Sequence, residues 1–298
     1  MNPTCGGAVA ENSELIAHIH RSRARDLKSR IWLGDIKLGH LDPEAPERML
    51  DHLQAAAAAG DVDAFVELGD VYAEGVGLDG EVRVDDERAL AAFEAGAERG
   101  HPQAARRYLR LSLMRRPGPE GAGRITRWLD WLLADDASGE AHWIAGVAAR
   151  RGYGIPIDPS AAVQWLEIAA ERGHSDAMWE LFEIHATGHD PLQQNLQAAN
   201  QWCLRAAQAG HVVAAYTLGQ QFSQLGMDPA NLAAAAEWFE RAAHAGHAEA
   251  RLALGILYMT GSGVPSDPTA AAAWFDQAED VGIKVDEVLS TRNIQRPR

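Results

Sequence analysis

Between residues 247 and 259, apolar side chains recur mostly three or four positions apart, which is the spacing of one face of an α-helix. They are Ala250, Leu252, Leu254, Leu257 and Tyr258. The glycine- and proline-rich run that follows, TGSGVP, predicts a loop. A second helix is predicted to begin after Asp267, a favourable N-cap, with Pro268 at its first position, and to end near Asp280. The stretch therefore predicts two helices joined by a short loop, with Gly282 as a left-handed C-terminal cap.

The same two-helix pattern recurs along nearly the whole chain. The first helix of each unit carries a marker that is usually Leu-Gly, as at Leu254-Gly255, where the missing side chain is predicted to let the second helix pack closely. The second helix carries a tryptophan that is followed eight residues later by a glycine. These tryptophans are Trp165, Trp202, Trp238 and Trp274, and all four are predicted to be buried between units.

Seven such units account for most of the chain. Their approximate bounds are 22–60, 61–100, 101–139, 140–173, 174–210, 211–246 and 247–282, with 1–21 as an N-terminal segment or cap and 283–298 as a C-terminal tail or cap. One helix pair cannot bury both of its faces, so the pairs must stack on their neighbours. The pattern therefore predicts an all-α solenoid without a β-sheet.

The motifs of the last unit resemble a known repeat. The order A-x-x-x-L-G-x-x-Y, G-x-G-V-P-x-D and A-x-x-W-F-x-x-A is similar to the Sel-one-like repeat, a relative of the tetratricopeptide repeat. Residues 247–282 match almost throughout, and 140–173 match in the loop and around Trp165. The resemblance implies a right-handed superhelix of about seven helix-turn-helix repeats that serves as a protein-binding scaffold.

Charge and residue usage narrow the possible partners and locations. The formal net charge of −15 would repel phosphate backbones, which argues against binding of nucleic acid by the whole body. Residues 103–127 are the exception, with seven arginines against one acid. No apolar run is long enough to span a membrane, and neither Cys5 nor Cys203 belongs to a disulfide pattern. A cytoplasmic protein is predicted, and its abundance of alanine and arginine suggests a bacterial source.

Catalytic and metal-binding motifs are missing from the sequence. It contains no H-E-x-x-H, no G-x-S-x-G, no P-loop lysine and no paired C-x-x-C, so we predict no enzyme, no cofactor and no metal site. His185 and His189 lie four residues apart, but the intervening Gly188 falls at a predicted helix end. A histidine also follows four of the unit-ending glycines, where it can meet helix-terminal backbone groups. These four are His101, His174, His211 and His247.

The concave surface of a repeat solenoid is formed mainly by first helices and is the usual binding surface. Two positions before the marker leucine, three consecutive units carry Trp143, Trp179 and Tyr216, which we call the aromatic column. The column has two readings, packing between repeats or contact with a partner. Other predicted lining residues are charged. They are Asp63, Asp70 and Glu74 in the second unit, Arg107 and Arg115 in the third, and Arg150 and Arg151 in the fourth. They form either a solvated face or a surface complementary to one protein.

Two functions agree with these observations. The first is a non-enzymatic adaptor that holds a protein or peptide in the groove of the repeats. The alternative is an inhibitor or immunity-type protein that occludes an effector toxin, such as one from a bacterial secretion system, because an acidic surface suits a basic target. Neither nucleic acid nor a membrane is predicted as a partner.

Overall fold

A computed structural model describes residues 5–32, 45–75, 83–115, 119–188, 193–226, 228–291 and 294–296. These ranges contain fifteen helices and no strand. The helices are α1 (Cys5–Trp32), α2 (Ala45–Ala58), α3 (Val62–Glu74), α4 (Asp86–Glu98), α5 (Pro102–Arg115), α6 (Pro119–Leu133), α7 (Glu140–Arg151), α8 (Pro159–Glu171), α9 (Ser175–Thr187), α10 (Leu196–Gln208), α11 (Val212–Gln224), α12 (Pro229–His244), α13 (Ala248–Thr260), α14 (Pro268–Glu279) and α15 (Val285–Thr291). The first fourteen form seven consecutive pairs, which confirms the predicted all-α solenoid of helix-turn-helix repeats.

The chain divides into two compact units. One consists of residues 1–136 and 151–157, and the other of residues 137–150 and 158–298. In the first unit each helix from α1 to α6 packs on the next. The second unit contains α8 to α15 and nearly all of α7, and its helices from α8 onward again pack in chain order. Each unit therefore has the neighbour-on-neighbour packing that defines a repeat solenoid.

The ends of the helices follow the predicted signals. Asp267 caps α14, where its side chain accepts hydrogen bonds from the backbone N–H groups of Thr269 and Ala270, and Pro268 is the first helical residue. The glycines that end the seven pairs all have a positive φ, between 78° and 97°. They are Gly60, Gly100, Gly139, Gly173, Gly210, Gly246 and Gly282. The chain therefore turns out of each second helix through a conformation that glycine adopts without strain.

The Leu-Gly marker is explained by a close approach between the two helices of a pair. A Cβ atom added to Gly255 would lie 2.5 Å from Cε1 of Phe275. The same overlap is found at Gly219 against Phe239, at 2.6 Å, and at Gly69 against Phe93. The marker glycine is therefore needed because the core side chain of the second helix lies flat against the first.

The four tryptophans of the second helices are less buried than predicted. Trp165, Trp202, Trp238 and Trp274 are all partly exposed. The residue after each of them is the core residue instead. These core residues are Leu166, Cys203, Phe239 and Phe275, none of them more than 4% exposed. The prediction of full burial was wrong because neighbouring positions on a helix point about 100° apart, and only one of the two faces the marker glycine.

Some predictions fall partly outside the described residues. The first marker, Leu33-Gly34, and His189 both lie there. The predicted boundary between the N-terminal segment and the first repeat, at residue 21, falls inside α1. The bounds of the seven repeats stay predictions. No helix in the described part of the chain is long and apolar enough to cross a bilayer.

Candidate protein-binding site

Four of the predicted site residues line one cleft in the first unit. Asp70 and Glu74 come from α3, and Arg107 and Arg115 come from α5. The cleft has a volume of about 450 Å³ and is also lined by Ala73, Asp86, Phe93, Arg110, Leu111 and Met114. We call it the α3–α5 cleft. The structure therefore brings the predicted acidic and basic positions of two consecutive first helices together around one space.

Ion pairs cross this cleft, but they leave hydrogen-bonding capacity unused. Arg115 lies 2.5 Å from Oδ2 of Asp86, whereas Nε of Arg107 lies 3.5 Å from Oδ1 of Asp70 without forming a hydrogen bond. Within the described residues, Oδ1 of Asp86 and Nε of Arg107 are buried atoms that have no hydrogen-bond partner. Burial raises the pKa of Asp70, with the Arg107 charge opposing the rise and Glu74 adding to it. Both atoms are enclosed by the protein, so the cleft offers an occupant its charged side chains rather than these two atoms.

Two arginines in the cleft break the repeat pattern of the chain itself. Arg107 stands two positions before Leu109, where α7, α9 and α11 carry the aromatic column. Arg110 replaces the marker glycine and is exposed. Other repeats vary at these positions as well, with Val66 and Leu252 at the first and Phe182 at the second, but only α5 carries arginine at both.

Most of the basic segment is neutralised by acids of the same unit. Arg124 lies 3.1 Å from Glu94, and Arg127 lies 4.0 Å from Glu98. Two carboxylates of α4 therefore pair with arginines of the basic segment, residues 103–127. Arg110 is different, because no ion pair joins it to any residue that the structure describes. The charge that sequence reasoning assigned to the whole segment is therefore concentrated on fewer side chains.

Asp63 lies away from the α3–α5 cleft. It accepts a hydrogen bond from Nε2 of His101, at 2.9 Å, and it pairs with Arg21 of α1. The hydrogen bond from His101 is the main reason why the pKa of Asp63 is lowered. These contacts connect three consecutive first helices, so the structure gives Asp63 a role in holding repeats together.

In the second unit, the aromatic column stacks on the junction histidines. The ring of each column residue lies nearly parallel to a histidine ring that begins the next first helix. The pairs are Trp143 on His174 (centroids 5.0 Å apart, 18° between planes), Trp179 on His211 (5.0 Å, 14°) and Tyr216 on His247 (4.2 Å, 21°). Two separate sequence signals are thus one structural motif, which the sequence could have indicated because both recur with the same period.

Each junction histidine also caps a helix. Nδ1 of His211 accepts a hydrogen bond from the backbone N–H of Ala214, at 3.1 Å, and the equivalent bond at His247 is 3.3 Å long. His101 and His174 make the same contact to the third residue after them. Burial lowers the pKa of His211 and of His247, although nearby carboxylates oppose the shift. Nδ1 must be unprotonated to accept these bonds, so the caps require the neutral ring.

Arg150 is held by carboxylates on the neighbouring first helix. It contacts Glu180 and lies 3.0 Å from Oε2 of Glu183, and its side chain is only 17% exposed. Glu183 in turn accepts a hydrogen bond from Nε1 of Trp179, at 3.1 Å. Arg150 therefore joins α7 to α9, while Arg151, the last residue of α7, is exposed.

Among the described residues, no three His, Cys, Asp or Glu side chains are grouped so that they could hold a metal ion. Cys203 is buried, as predicted, and burial raises the pKa of its thiol to about 11. A thiol in this state is a poor nucleophile at neutral pH.

The sequence model of the Sel1 repeat matches five stretches, at residues 64–101, 139–174, 175–211, 212–247 and 248–282, which together exceed half of the chain. The chain belongs to the Sel1 repeat family. Sel1 repeats generally mediate protein–protein interaction, and the members of this family are typically non-enzymatic scaffolds. No curated protein matches the chain.

Several solved structures are similar to this chain of Sel1 repeats. A Sel1 repeat protein from Oxalobacter formigenes is 24% identical, with 92% of this chain and 90% of that one covered and a TM-score of 0.46. The protective antigen c5321 of uropathogenic Escherichia coli is 19% identical, with coverages of 96% and 73% and a TM-score of 0.47. The immunity protein Pa5087 from Pseudomonas aeruginosa is 16% identical, with coverages of 89% and 81% and a TM-score of 0.44.

Proposed function

We propose that this Sel1 repeat protein is a non-enzymatic adaptor that binds a segment of another protein in the α3–α5 cleft. The observation that supports the proposal is the cleft itself, which is lined by charged side chains from two consecutive first helices. A partner segment with complementary charges could pair with them. The proposal places the adaptor in the cytoplasm of a bacterium, in agreement with its residue usage.

The aromatic column has a different place in this proposal. One face of each ring is covered by a histidine of the next repeat, so the rings first serve to hold repeats together. We therefore expect Trp179→Ala to lower the stability of the second unit. A partner could contact these residues only through the parts of their side chains that stay exposed. They are Trp143, Trp179, Tyr216, Arg150 and Arg151.

Site-specific photo-crosslinking in living cells tests the adaptor role. A photoreactive amino acid replaces Met114, whose side chain is 70% exposed and lines the cleft. The matched control carries the same amino acid at Ala91, an exposed position on α4 of the same unit. We expect a discrete crosslinked protein from position 114 that is absent from position 91, and mass spectrometry then identifies it.

The same experiment can contradict the proposal. If both positions give the same adducts, or neither gives any, the cleft is not a protein-binding site. Circular dichroism of both purified variants confirms that the helices are intact, so that a missing adduct is not caused by unfolding.

An immunity-type inhibitor is the second candidate, and the net charge of −15 favours it. A strongly acidic surface accelerates association with a basic toxin and would occlude it. Co-expression with the toxin candidates encoded beside its gene tests this role. Protection of the cells from one of them supports inhibition, whereas growth arrest by every candidate contradicts it.

A further inference from the structure

We propose that the α3–α5 cleft binds an extended segment in which basic and acidic side chains alternate. This inference rests on the proposed adaptor function and specifies the chemistry of the partner. One wall of the cleft is acidic, with Asp70 and Glu74 on α3, and the other is basic, with Arg110 and Arg115 on α5. An occupant of the cleft therefore lies between two walls of opposite charge.

The alternation follows from the geometry of an extended chain. Successive side chains of an extended segment point in opposite directions. A segment that lies along the cleft would present one set of side chains to α3 and the other to α5. Lysine or arginine in the first set and aspartate or glutamate in the second match both walls, while a segment of one sign is repelled by one of them.

Two charged side chains are available for such pairing. Neither Glu74 nor Arg110 forms an ion pair with any other residue in the described part of the chain. Glu74 is the last residue of α3, and Arg110 is exposed in the middle of α5. The two existing pairs, Arg107 with Asp70 and Arg115 with Asp86, hold the remaining charges of both walls in place.

Oδ1 of Asp86 and Nε of Arg107 are enclosed by the protein, so the charged side chains that line the cleft, and not these two atoms, select the occupant.

The apolar lining indicates one apolar residue within the segment. Met114 is 70% exposed beside the half-buried Leu111, both on the α5 wall. Methionine adapts its shape to different apolar partners, so it can cover a side chain without fixing its identity. We therefore expect a leucine-sized residue among the charges that face α5.

Fluorescence anisotropy with the full chain and a synthetic probe tests the inference. The probe is a fluorescein-labelled nonapeptide with four lysines and four glutamates that alternate around a central leucine. The control peptide has the same composition, with the lysines and glutamates in two separate blocks. We expect the alternating peptide to bind about tenfold more tightly at low salt, because only it matches both walls.

Variants connect the binding to the two walls. Glu74→Lys and Arg110→Glu should each weaken binding of the alternating peptide by about tenfold, since each places a like charge against the probe. Asp51→Lys reverses an exposed acid on α2 of the same unit and should leave the affinity unchanged. Circular dichroism and thermal melting of each variant verify that it is folded.

Equal affinity for the two peptides, or normal binding by Arg110→Glu, would overturn the inference. The crosslinking experiment at Met114 distinguishes this failure from failure of the adaptor function. A crosslinked partner whose contact segment lacks alternating charge supports the adaptor function and contradicts the alternation of charges. Absence of any crosslink from position 114 contradicts both.

Discussion

Acidification should weaken the repeat junction at His211, where the histidine caps a first helix. At His211, Nδ1 accepts the N–H of Ala214 at 3.1 Å while the ring stacks on Trp179. Protonation of the ring places a hydrogen on Nδ1, so the cap is lost and two N–H groups point at each other. We therefore expect the start of α11 to open as the pH falls.

The sign follows from the pKa of the ring in the two states of the chain. Burial lowers the pKa of His211 below its ordinary 6.5, despite the opposing charges of Asp176 and Glu183. The unfolded chain then binds the proton first, so the stabilisation is complete above about pH 6.5 and is lost progressively below it. A lost N-cap costs about 1 kcal/mol. His247 should lose less, since Oε2 of Glu249 lies 3.3 Å from its Nδ1 and can accept a hydrogen bond from the protonated ring.

Urea unfolding at pH 7.5 and pH 5.0 measures the effect, with His211→Asn as the matched control. The asparagine oxygen can accept the same N–H but does not titrate. The free energy of unfolding should fall by about 1 kcal/mol more in the unmodified protein than in the variant. Amide exchange at Ala214, corrected for intrinsic rates, reports the same opening locally.

Equal pH dependence in the two proteins would refute this reasoning. So would a ring of His211 whose Nδ1 is protonated at neutral pH, which nitrogen chemical shifts detect. A difference in the free energy of unfolding that is the same at both pH values does not bear on this reasoning, because the variant also loses the stacking contact with Trp179.

Three other changes have definite expected outcomes. Gly255→Ala should destabilise the last pair by about 1–3 kcal/mol in thermal melting, because its Cβ would overlap Phe275, and an unchanged midpoint would contradict the close approach. Phe239→Ala should lower the free energy of unfolding by about 3–5 kcal/mol in a denaturant titration, and Trp238→Ala should lower it less, because only the phenylalanine is buried. A larger loss for Trp238→Ala would contradict this assignment. Cys203 should react with a thiol reagent at pH 8 only after unfolding, since burial raises its pKa to about 11, and rapid labelling of the folded chain would contradict that burial.

Much of the candidate site could be predicted from repeat register. The sequence predicted that Asp70, Glu74, Arg107 and Arg115 line the concave surface, and the structure places all four in one cleft. Asp63 was predicted to lie with them, although it pairs instead with side chains from neighbouring helices. Register predicts which face of a helix a residue occupies, but the length and the partners of each side chain decide where its charge lies.

The sequence by itself determined the local structure of this protein. Helix pairs, their caps and the unit-ending glycines follow from backbone preferences that act within a few residues, so short motifs predict them well. The 36-residue recurrence then required the pairs to stack, because no single pair buries both of its faces.

Only the tertiary structure decided which of two neighbouring residues is the core residue and which charges stay available. Trp238 was the conspicuous signal, yet Phe239 faces the marker glycine because that side of the helix meets its partner. The stacking of Trp179 on His211 joins side chains from successive repeats, and the pairing of Arg115 with Asp86 joins different helices. Such contacts depend on how the helices approach each other, which is fixed by packing over the whole unit rather than by any local sequence.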